Sequence, residues 1–357
     1  MNNETFSRDD IVIVNVNPMK TKEITPETIA AAMTKMNLAN NQKKNQEKAS
    51  PPIEKYRRLN KLSVTDMSEL SWCEQKFHYS LIYGKVRTNV MKIGTTIHSK
   101  LELEDHKLIE VKRICVEDDW GVKLTNLLIA LTSLTKTKKS REIPIFGFLF
   151  DSFIIGVIDE IKHVSRLGDN IMNNDMFSKE TFEQDKWIIS DTKTKSRIIK
   201  PSKSTILMST KVQLMLYKKL FDELIKNQMD FKKMFEHLNL NPDRPFSSDL
   251  QELLSSFDFK QYFEKFKERK LEYSLSLLAE LINEYVKSIG TSSNLLEVNY
   301  RYQGDGKDLG SVLFEFEEEN LEKKLKRGIL YWKGIVKPQG VEIEEAWKCR
   351  QVYNWHI

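Results

Sequence analysis

The chain has 357 residues, of which 40% are hydrophobic, and this content is enough for one large folded domain or two small ones. Its 56 Lys and Arg exceed its 51 Asp and Glu by five charges, an excess that permits nucleic-acid binding without requiring it. Three scattered cysteines argue against a secreted disulfide framework, and the lack of any run of about 18 apolar residues argues against a membrane-spanning protein.

The first part of the chain differs in composition from the rest. Residues 1–55 are rich in Asn, Lys and Thr and predict a flexible, low-complexity tail, while regular patterning predicts a single domain over 56–357. Glu4, Asp9 and Asp10 near the start are unlike a mitochondrial transit peptide, which is Arg-rich and poor in acidic residues. The N-terminus therefore gives no support to mitochondrial import.

The first strong helical pattern is "TDMSELSWCEQKFHYSLIYG". Thr65 and Ser68 are candidate caps, Cys73 and Phe77 fall on the apolar stripe, and Gly84 is a stop signal. This predicts one amphipathic helix that carries a cysteine inward.

A second helix is predicted for "KIGTTIHSKLELEDHKLIEV". Ile97 and Leu101 lie four residues apart on its apolar face, and His98 and Glu102 lie four apart on the neighbouring stripe. The polar pair is thus expected beside the buried face.

Three strand patterns follow, "IPIFGFLF" from Ile143, "FIIGVIDEI" from Phe153 and "KWIISDTKT" from Lys186. A helix on the sheet is predicted next, because apolar residues recur every four positions in "KVQLMLYKKL". Its Gln213 and Tyr217 share a second stripe. "LLEVNYRY" and "SVLFEF" then predict a hairpin, and the lack of a G-x-x-x-x-G-K loop argues against an ATP-driven motor.

Acidic residues fall at the ends of two of these strands. Side chains alternate along a strand, so Asp191 and Lys193 share a face, and hairpin pairing would bring Asp159 on the preceding strand close to Asp191. Two adjacent carboxylates repel unless a cation lies between them, and oxygen ligands with water suit Mg²⁺ or Mn²⁺. His98 is a further candidate ligand, and Lys193 is placed to position a water nucleophile or to stabilise charge.

Each of these features alone has an ordinary interpretation. Asp159, Asp191 and Lys193 are also compatible with solvated strand ends, His98 with a partly buried structural histidine, and the Gln213 and Tyr217 pair with a helix surface. Their joint order favours a site.

That order, "GTTIHSKLELE", "GVIDE", "SDTKT" and "QLMLY", resembles the RecB-like branch of the PD-(D/E)XK nucleases over roughly residues 65–226. The resemblance implies an α/β fold, a restriction-endonuclease-like mixed sheet flanked by helices, with additional helical segments. It further implies metal ligation by three of the residues, catalysis by a lysine together with the two aspartates, and supporting or DNA-contacting roles for others. These are His98, Asp159 and Asp191 as ligands, Lys193 as the catalytic lysine, and Gln213 and Tyr217 as the supporting pair, with Glu102 in a less certain role.

A closer resemblance covers nearly the whole chain after Lys61. "SWCEQKF", "DTKTKSR", "KVQLMLYKKL", "YRYQGDGKDLGSVLFEF" and "ILYWKG…GVEIEEAWKCR" together look like eukaryotic exonuclease V. This implies a monomeric, Mg²⁺-dependent exonuclease of single-stranded DNA that acts from 5′ ends and releases short oligonucleotides.

The resemblance also implies a cellular role, a compartment and a partner. Its role would lie in DNA replication, repair or recombination, in mitochondria as in fungal relatives or in the nucleus as in animal ones, with a single-strand-binding protein as an additional partner and no membrane. Lys195 and Arg197, which follow the catalytic strand, are expected to contact the DNA backbone, although a charge run is commonly a solvated face.

Members of that family carry a [4Fe-4S] cluster held by one upstream cysteine and three near the C-terminus. Cys73 and Cys349 match the first two positions, but Val352 stands where the third is expected and the fourth would fall beyond Ile357. We expect either an altered reading of the C-terminus or a natural variant without a cluster, with Cys115 as an unsupported substitute and plain buried thiols as the ordinary interpretation. The corresponding alternative function is a catalytically impaired, less stable DNA-binding protein of the same fold.

Overall fold

The computed structural model describes residues 12–14, 50–85, 91–97, 99, 107–164, 186–256 and 273–349. The strands in these ranges are β1 (Val12–Val14), β2 (Leu62–Ser63), β3 (Lys107–Ile109), β4 (Lys139–Leu149), β5 (Ser152–Val164), β6 (Lys186–Lys195), β7 (Ser292–Tyr302) and β8 (Asp308–Glu315). The helices are α1 (Pro52–Tyr56), α2 (Val64–Ser68), α3 (Glu74–Tyr83), α4 (Val116–Thr137), α5 (Met208–Ile225), α6 (Phe231–His237), α7 (Ser248–Ser256), α8 (Leu275–Val286) and α9 (Glu318–Trp332). Within the described ranges, no helix is both long and apolar enough to cross a lipid bilayer.

The centre of the fold is a mixed sheet, six-stranded in the described residues. β5 pairs antiparallel with both β4 and β6. β7 pairs in parallel with β6, and β8 lies at the edge of the sheet, antiparallel to β7. The short β2 pairs in parallel with β5. The predicted three strands and the later hairpin are therefore confirmed.

Helices cover both faces of the sheet. Phe146 on β4 packs edge-on against Trp120 of α4, with ring centroids 5.6 Å apart. A Cβ at the next residue, Gly147, would lie 3.0 Å from Leu220 of α5. Since successive strand residues point to opposite faces, α4 and α5 lie on opposite sides of β4. The predicted fold class, an α/β mixed sheet flanked by helices, is confirmed.

The helix predicted to follow the third of these strands is also confirmed. α5 buries Val212, Leu216 and Leu220, each at most 1% exposed, in the repeat that the sequence predicted. These residues bind α5 to the sheet through apolar contact, which stabilises the fold by roughly 1.5–3 kcal/mol for each large side chain. This packing brings Gln213 and Tyr217, on the adjacent stripe of the helix, close to Lys193 on β6.

The single helix predicted from Thr65 to Gly84 is wrong. A short helix, α2, begins instead at Val64 and is capped by Ser63, whose Oγ accepts the N–H of Asp66 while the Asp66 carboxylate accepts the N–H of Ser63. The backbone becomes extended at Cys73, which caps α3 by accepting the N–H of Lys76 on Sγ at 3.5 Å. The predicted stop is confirmed, since Gly84 ends α3 with a φ of +83°.

Part of the N-terminal segment also has described structure. Val12–Val14 pairs in parallel with Lys107–Ile109, and α1 begins at Pro52, before the predicted domain boundary. The remainder of the predicted tail lies outside the described residues.

Gly156 on β5 is a point where a side chain has no room. A Cβ there would lie 2.7 Å from Cε1 of Tyr217 and 2.8 Å from Cγ2 of Val64. Glycine therefore lets α2 and α5 approach the sheet where the polar stripe of α5 reaches it.

We expect Gly156→Ala to lower the free energy of unfolding by about 1–3 kcal/mol, because the added methyl group forces apart well-packed groups. Urea denaturation measures this. Gly340→Ala is the matched control, since a Cβ at Gly340 meets nothing within 4 Å. Equal stability of the two variants would contradict the close packing at Gly156.

Candidate active site

The candidate site lies where β5 and β6 separate. The two strands pair from Glu160 opposite Ser190 to Val164 opposite Lys186, and the register places Asp159 and Asp191 next. Beyond that point β6 continues beside β7 alone. The register therefore leads to Asp159 and Asp191 at a fork in the sheet, where the sequence predicted that two carboxylates meet.

A side chain replaces the missing strand pairing at this fork. The N–H of Thr192 donates a hydrogen bond to Oδ2 of Asp159 at 3.0 Å. The Asp159 carboxylate thus satisfies a backbone donor that the separated strand no longer pairs. This contact fixes Asp159 against β6.

Asp191 and Lys193 form an ion pair on the face that strand alternation predicts. Nζ of Lys193 donates to Oδ1 of Asp191 at 3.0 Å and lies 2.7 Å from Oδ2. The Asp191 side chain is 1% exposed, whereas that of Lys193 is 36% exposed, so the ammonium group lies at the edge of the buried site. Both oxygens of Asp191 therefore face the ammonium group.

The charges of this cluster are strongly coupled. Burial raises the pKa of Asp159 well above its usual value, and the negative charge of Asp191 raises it further, while Lys193 and the Thr192 N–H act in the opposite direction. Burial opposes the charge of Lys193, but the carboxylates of Asp191 and Asp159 outweigh it and raise the pKa of the lysine. Two carboxylates and one ammonium therefore share a site that attracts further positive charge.

A side chain of α5 also contacts the ammonium group of Lys193. Nζ of Lys193 donates to Oε1 of Gln213 at 3.3 Å, and Nε2 of Gln213 donates to the hydroxyl of Tyr217 at 3.3 Å. Tyr217 is 4% exposed, and burial raises the pKa of its hydroxyl, which keeps it neutral. The predicted second stripe of the helix is thus joined to the carboxylate pair by hydrogen bonds.

His98 and Glu102 lie outside the residues whose side chains are described. The helical residues 91–97 that precede His98 nevertheless reach β6, because a Cβ at Gly94 would lie 3.3 Å from Oγ1 of Thr194. Thr194 is the neighbour of Lys193 in the chain. The segment leading to His98 therefore passes beside the candidate site.

Other residues around the fork were not predicted. Glu142 falls opposite Asp159 in the β4–β5 register, between the pairs of Arg141 with Glu160 and Ile143 with Ile158, and its charge contributes to the raised pKa of Asp159. Its φ of +49° is unusual for a residue other than glycine. No local sequence signal marks it, because the pairing that brings it near Asp159 is a tertiary one.

Residues of β7 also support the site. Tyr300 lies opposite Lys193 in the parallel register. Glu297, 2% exposed, accepts the hydroxyl of Ser190 at 2.6 Å and forms an ion pair of 2.5 Å with Lys162. This buried network joins β5, β6 and β7 immediately behind Asp191, and sequence reasoning missed it because the glutamate lies about 100 residues farther along the chain.

The residues at the fork fit a divalent cation. Asp191 contributes a buried carboxylate that is paired with Lys193, and Asp159 beside it has a raised pKa that a cation would lower. Among the described side chains, no three His, Cys, Asp or Glu residues converge on one point. Two carboxylates with bound water suffice for Mg²⁺, which commonly keeps several waters.

The cysteines do not fit a four-thiolate cluster. The chain has three cysteines, one fewer than a [4Fe-4S] cluster normally takes. Cys73 is buried at the start of α3, and Cys115 precedes α4 beside Glu117 and Asp118. Cys349 ends a 3₁₀-helix, Ile343–Cys349, and its side chain lies outside the described set, as does Val352.

The predicted DNA-contacting residues lie at the end of β6, whereas aromatic side chains on either side of Cys73 pack against other rings. Lys195 lies at the end of β6, partly buried, and Arg197 is exposed just beyond it. Phe77 is 4% exposed and packs against Trp332 at 5.6 Å, so it belongs to the core. Trp72 packs against Trp347 at 5.5 Å.

Comparison with known proteins agrees with the resemblance seen in the sequence. A family model described as "Exonuclease V - a 5' deoxyribonuclease" matches residues 51–352. Exonuclease V of Danio rerio is 28% identical over 313 residues, which cover 85% of this chain and 71% of that protein. Both findings extend over most of the chain.

Two yeast proteins named "Exonuclease V, mitochondrial" are also similar. The one from Debaryomyces hansenii is 24% identical, covering 54% of this chain and 47% of its own length, and the one from Candida glabrata is 27% identical, covering 45% and 41%. The match thus spans less than half of each yeast relative. Among solved structures, the crystal structure of SSO0001 aligns with 90% of this chain at 11% identity and a TM-score of 0.34.

The carboxylate pair yields a prediction about stability. Because the folded state raises the pKa of Asp159, it binds a proton more tightly than the unfolded chain does, and stability falls as pH rises from the unfolded pKa towards the folded one. We expect Asp159→Asn, which cannot ionise, to raise the thermal midpoint of the metal-free protein at pH 7 in EDTA. The difference should shrink as the pH is lowered towards 4, and added Mg²⁺ should stabilise the wild type but not the variant.

Asp151→Asn is the matched control, because the Asp151 side chain is 88% exposed. It should change neither the pH dependence nor the response to Mg²⁺. A metal-free Asp159→Asn protein that is less stable than the wild type at pH 7 would contradict the strained carboxylate pair.

Proposed function

The chain belongs to the exonuclease V family, and on that premise we propose that it is a Mg²⁺-dependent exonuclease of single-stranded DNA that acts from 5′ ends and releases short oligonucleotides. Membership of this family makes it a deoxyribonuclease, and a nuclease of this kind is expected to use a divalent metal ion.

One observation carries the proposal: two carboxylates meet at the fork of β5 and β6, with a lysine ammonium at the edge. Asp191 is 1% exposed and pairs with Lys193, whose ammonium lies 3.0 and 2.7 Å from its two oxygens and whose side chain is 36% exposed. Two buried carboxylates beside one ammonium group leave an excess of negative charge at the fork, which favours a bound cation.

The groups divide the chemistry of phosphodiester hydrolysis among themselves. A bound Mg²⁺ supplies Lewis acidity towards the phosphate and lowers the pKa of a bound water. Asp159 and Asp191 are the proposed ligands, and Lys193, whose raised pKa keeps it protonated, provides a fixed positive charge for the scissile phosphate. Gln213 orients the ammonium through its 3.3 Å contact, with Tyr217 behind it.

Further members of the site are proposed from the sequence motif. His98 is the proposed additional metal ligand, and Glu102 has a proposed supporting or DNA-contacting role. The close approach of Gly94 to Thr194 supports this proposal, because Gly94 lies four residues before His98 in the chain and reaches the strand that carries Lys193.

The proposed cellular role follows the relatives. The yeast proteins are named mitochondrial, so we place this chain in mitochondria, with the nucleus as the alternative, in DNA replication, repair or recombination. Fluorescence imaging of the complete protein, tagged at its C-terminus, distinguishes the two compartments. A single-strand-binding protein is the proposed partner, and the protein acts as a monomer.

Removal of the ammonium group tests the catalytic proposal. We expect Lys193→Met to lower kcat on 5′-labelled single-stranded DNA by at least about 10²-fold, since preorganised charge at the reacting phosphate is removed. EDTA should abolish wild-type activity and Mg²⁺ should restore it. Lys232→Met, an exposed lysine on α6, is the control and should retain activity. Full activity of Lys193→Met, or cleavage in EDTA, would overturn the assignment.

The substrate distinguishes an exonuclease from an endonuclease. Linear single strands labelled at one end should release short labelled products first from the 5′ end, and circular single strands of the same sequence should remain intact. Early cleavage of circles would instead place the protein with endonucleases of this fold.

The incomplete cysteine set favours a second candidate, a DNA-binding protein of this fold with impaired catalysis. The two ends of the domain are nevertheless joined without thiols: Arg327 donates to both carboxylate oxygens of Glu74 at 2.9 and 2.8 Å, and the N–H of Gln339 donates to the same group at 2.8 Å. Lys348 also donates to the carbonyl of Trp72 at 3.4 Å. These hydrogen bonds connect the start of α3 to the C-terminal segment.

We therefore expect anaerobically purified protein to contain no stoichiometric iron and no absorbance band near 400 nm, and yet to unfold cooperatively. Arg327→Met should lower its thermal midpoint, whereas Lys326→Met, which removes an exposed charge from the same helix, should have little effect. Near-stoichiometric iron would show that the chain binds a cluster after all.

A further inference from the structure

We propose that a pocket beyond the end of β6 binds one backbone phosphodiester of single-stranded DNA, the one next to the phosphodiester that is cleaved. The pocket is lined by Lys195, Arg197, Lys200, Ile199 and Tyr300 among others. This inference rests on the proposed nuclease function and adds to it a subsite for the neighbouring nucleotide.

The position of the pocket relative to Lys193 supports a neighbouring phosphate. Lys195 follows Lys193 by two residues on β6, so their Cα atoms are roughly 6.6 Å apart along the strand. Tyr300, on the pocket wall, lies opposite Lys193 in the β6–β7 register. A DNA strand that presents a phosphate to Lys193 therefore continues directly over the pocket.

The charge of the pocket fits an anion. Lys195, Arg197 and Lys200 contribute three cations, and none of the described residues that line the pocket is acidic. None of the three forms an ion pair with a described carboxylate. Their charge is therefore available for a phosphate, which binds such groups through charge-assisted hydrogen bonds.

The pocket wall is held in place before any ligand arrives. Nζ of Lys195 lies 5.0 Å from the centre of the Tyr300 ring, and the Tyr300 hydroxyl donates to the carbonyl of Thr205 at 3.4 Å. The N–H of Gln303 donates to the carbonyl of Lys195 at 2.9 Å, and its side chain donates to Oγ1 of Thr194 at 2.9 Å. These interactions fix the end of β6, which lowers the entropy cost of binding.

Exposed apolar side chains beside the cations favour a nucleotide strand over a free anion. Ile198 and Ile199 are 65% and 58% exposed beside the three cations, and Ile199 lines the pocket. Sugar and base present apolar surface next to each phosphate, so a nucleotide strand covers cations and isoleucines together. A free inorganic anion would cover only the cations.

The double variant Arg197→Gln with Lys200→Gln tests the subsite by binding alone. In EDTA, where cleavage does not occur, fluorescence anisotropy with a labelled single strand should show a threefold to tenfold weaker Kd. The slope of log K against log salt should become shallower by about 0.7 for each DNA phosphate that the protein no longer neutralises. Lys232→Gln removes an equivalent exposed charge on α6 and should change neither quantity.

A second measurement locates the phosphate. A single methylphosphonate, which is neutral, is placed on either side of the cleaved bond. At one of the two positions the KM of the wild type should rise threefold to tenfold, and the same substitution should have no further effect in the double variant. Additive effects of the DNA and protein changes at both positions would overturn the subsite.

A third measurement compares two chemical forms of the 5′ end of the DNA. Oligonucleotides with a 5′-phosphate and a 5′-hydroxyl should be affected equally by the double variant, because the pocket is assigned to an internal phosphodiester. Loss of a preference for the 5′-phosphate alone would mean that the pocket holds the strand terminus, against the proposal. A wild-type protein that fails to bind or cleave single-stranded DNA would refute the nuclease function itself, whereas normal cleavage with an unchanged double variant would refute only the subsite.

Discussion

The separation of β5 and β6 at Asp159 and Asp191 is the constraint on which the site depends. Up to Glu160 and Ser190 the strands pair in the ordinary way, and one step later two carboxylates face each other. Burial raises the pKa of Asp159, and the negative charge of Asp191 raises it further. The fold accepts this cost because the Thr192 N–H and the Lys193 ammonium each stabilise one of the carboxylates.

The surrounding structure maintains this fork. Gly156 allows Tyr217 to approach β5, and the Tyr217 hydroxyl accepts from Gln213, which in turn accepts from Lys193. Behind the strands, Glu297 connects Ser190 to Lys162. The helix and the strands thus hold a cluster that would otherwise relax by rotating its charged side chains towards solvent. Such preorganisation of charge is what phosphodiester hydrolysis requires.

Much of this can be predicted from the sequence where local periodicity determines the structure. Strand alternation placed Asp191 and Lys193 on one face, and the four-residue repeat of α5 predicted both its buried stripe and the adjacent Gln213 and Tyr217. The helix caps were mispredicted, since Thr65 and Ser68 are stronger capping residues by type than Cys73, and the backbone bend at Cys73 is not encoded in the apolar repeat. The contributions of Glu142 and Glu297 depend on strand pairing across the sheet, which a linear pattern does not specify.

The central claim is that the two carboxylates form the metal site of a nuclease, and crystals soaked in Mn²⁺ test it most directly. An anomalous difference map collected at the manganese absorption edge should show a peak between the carboxylates of Asp159 and Asp191, and Asp191→Asn should remove it. A manganese peak elsewhere in the wild-type protein with none between these two residues would contradict the account.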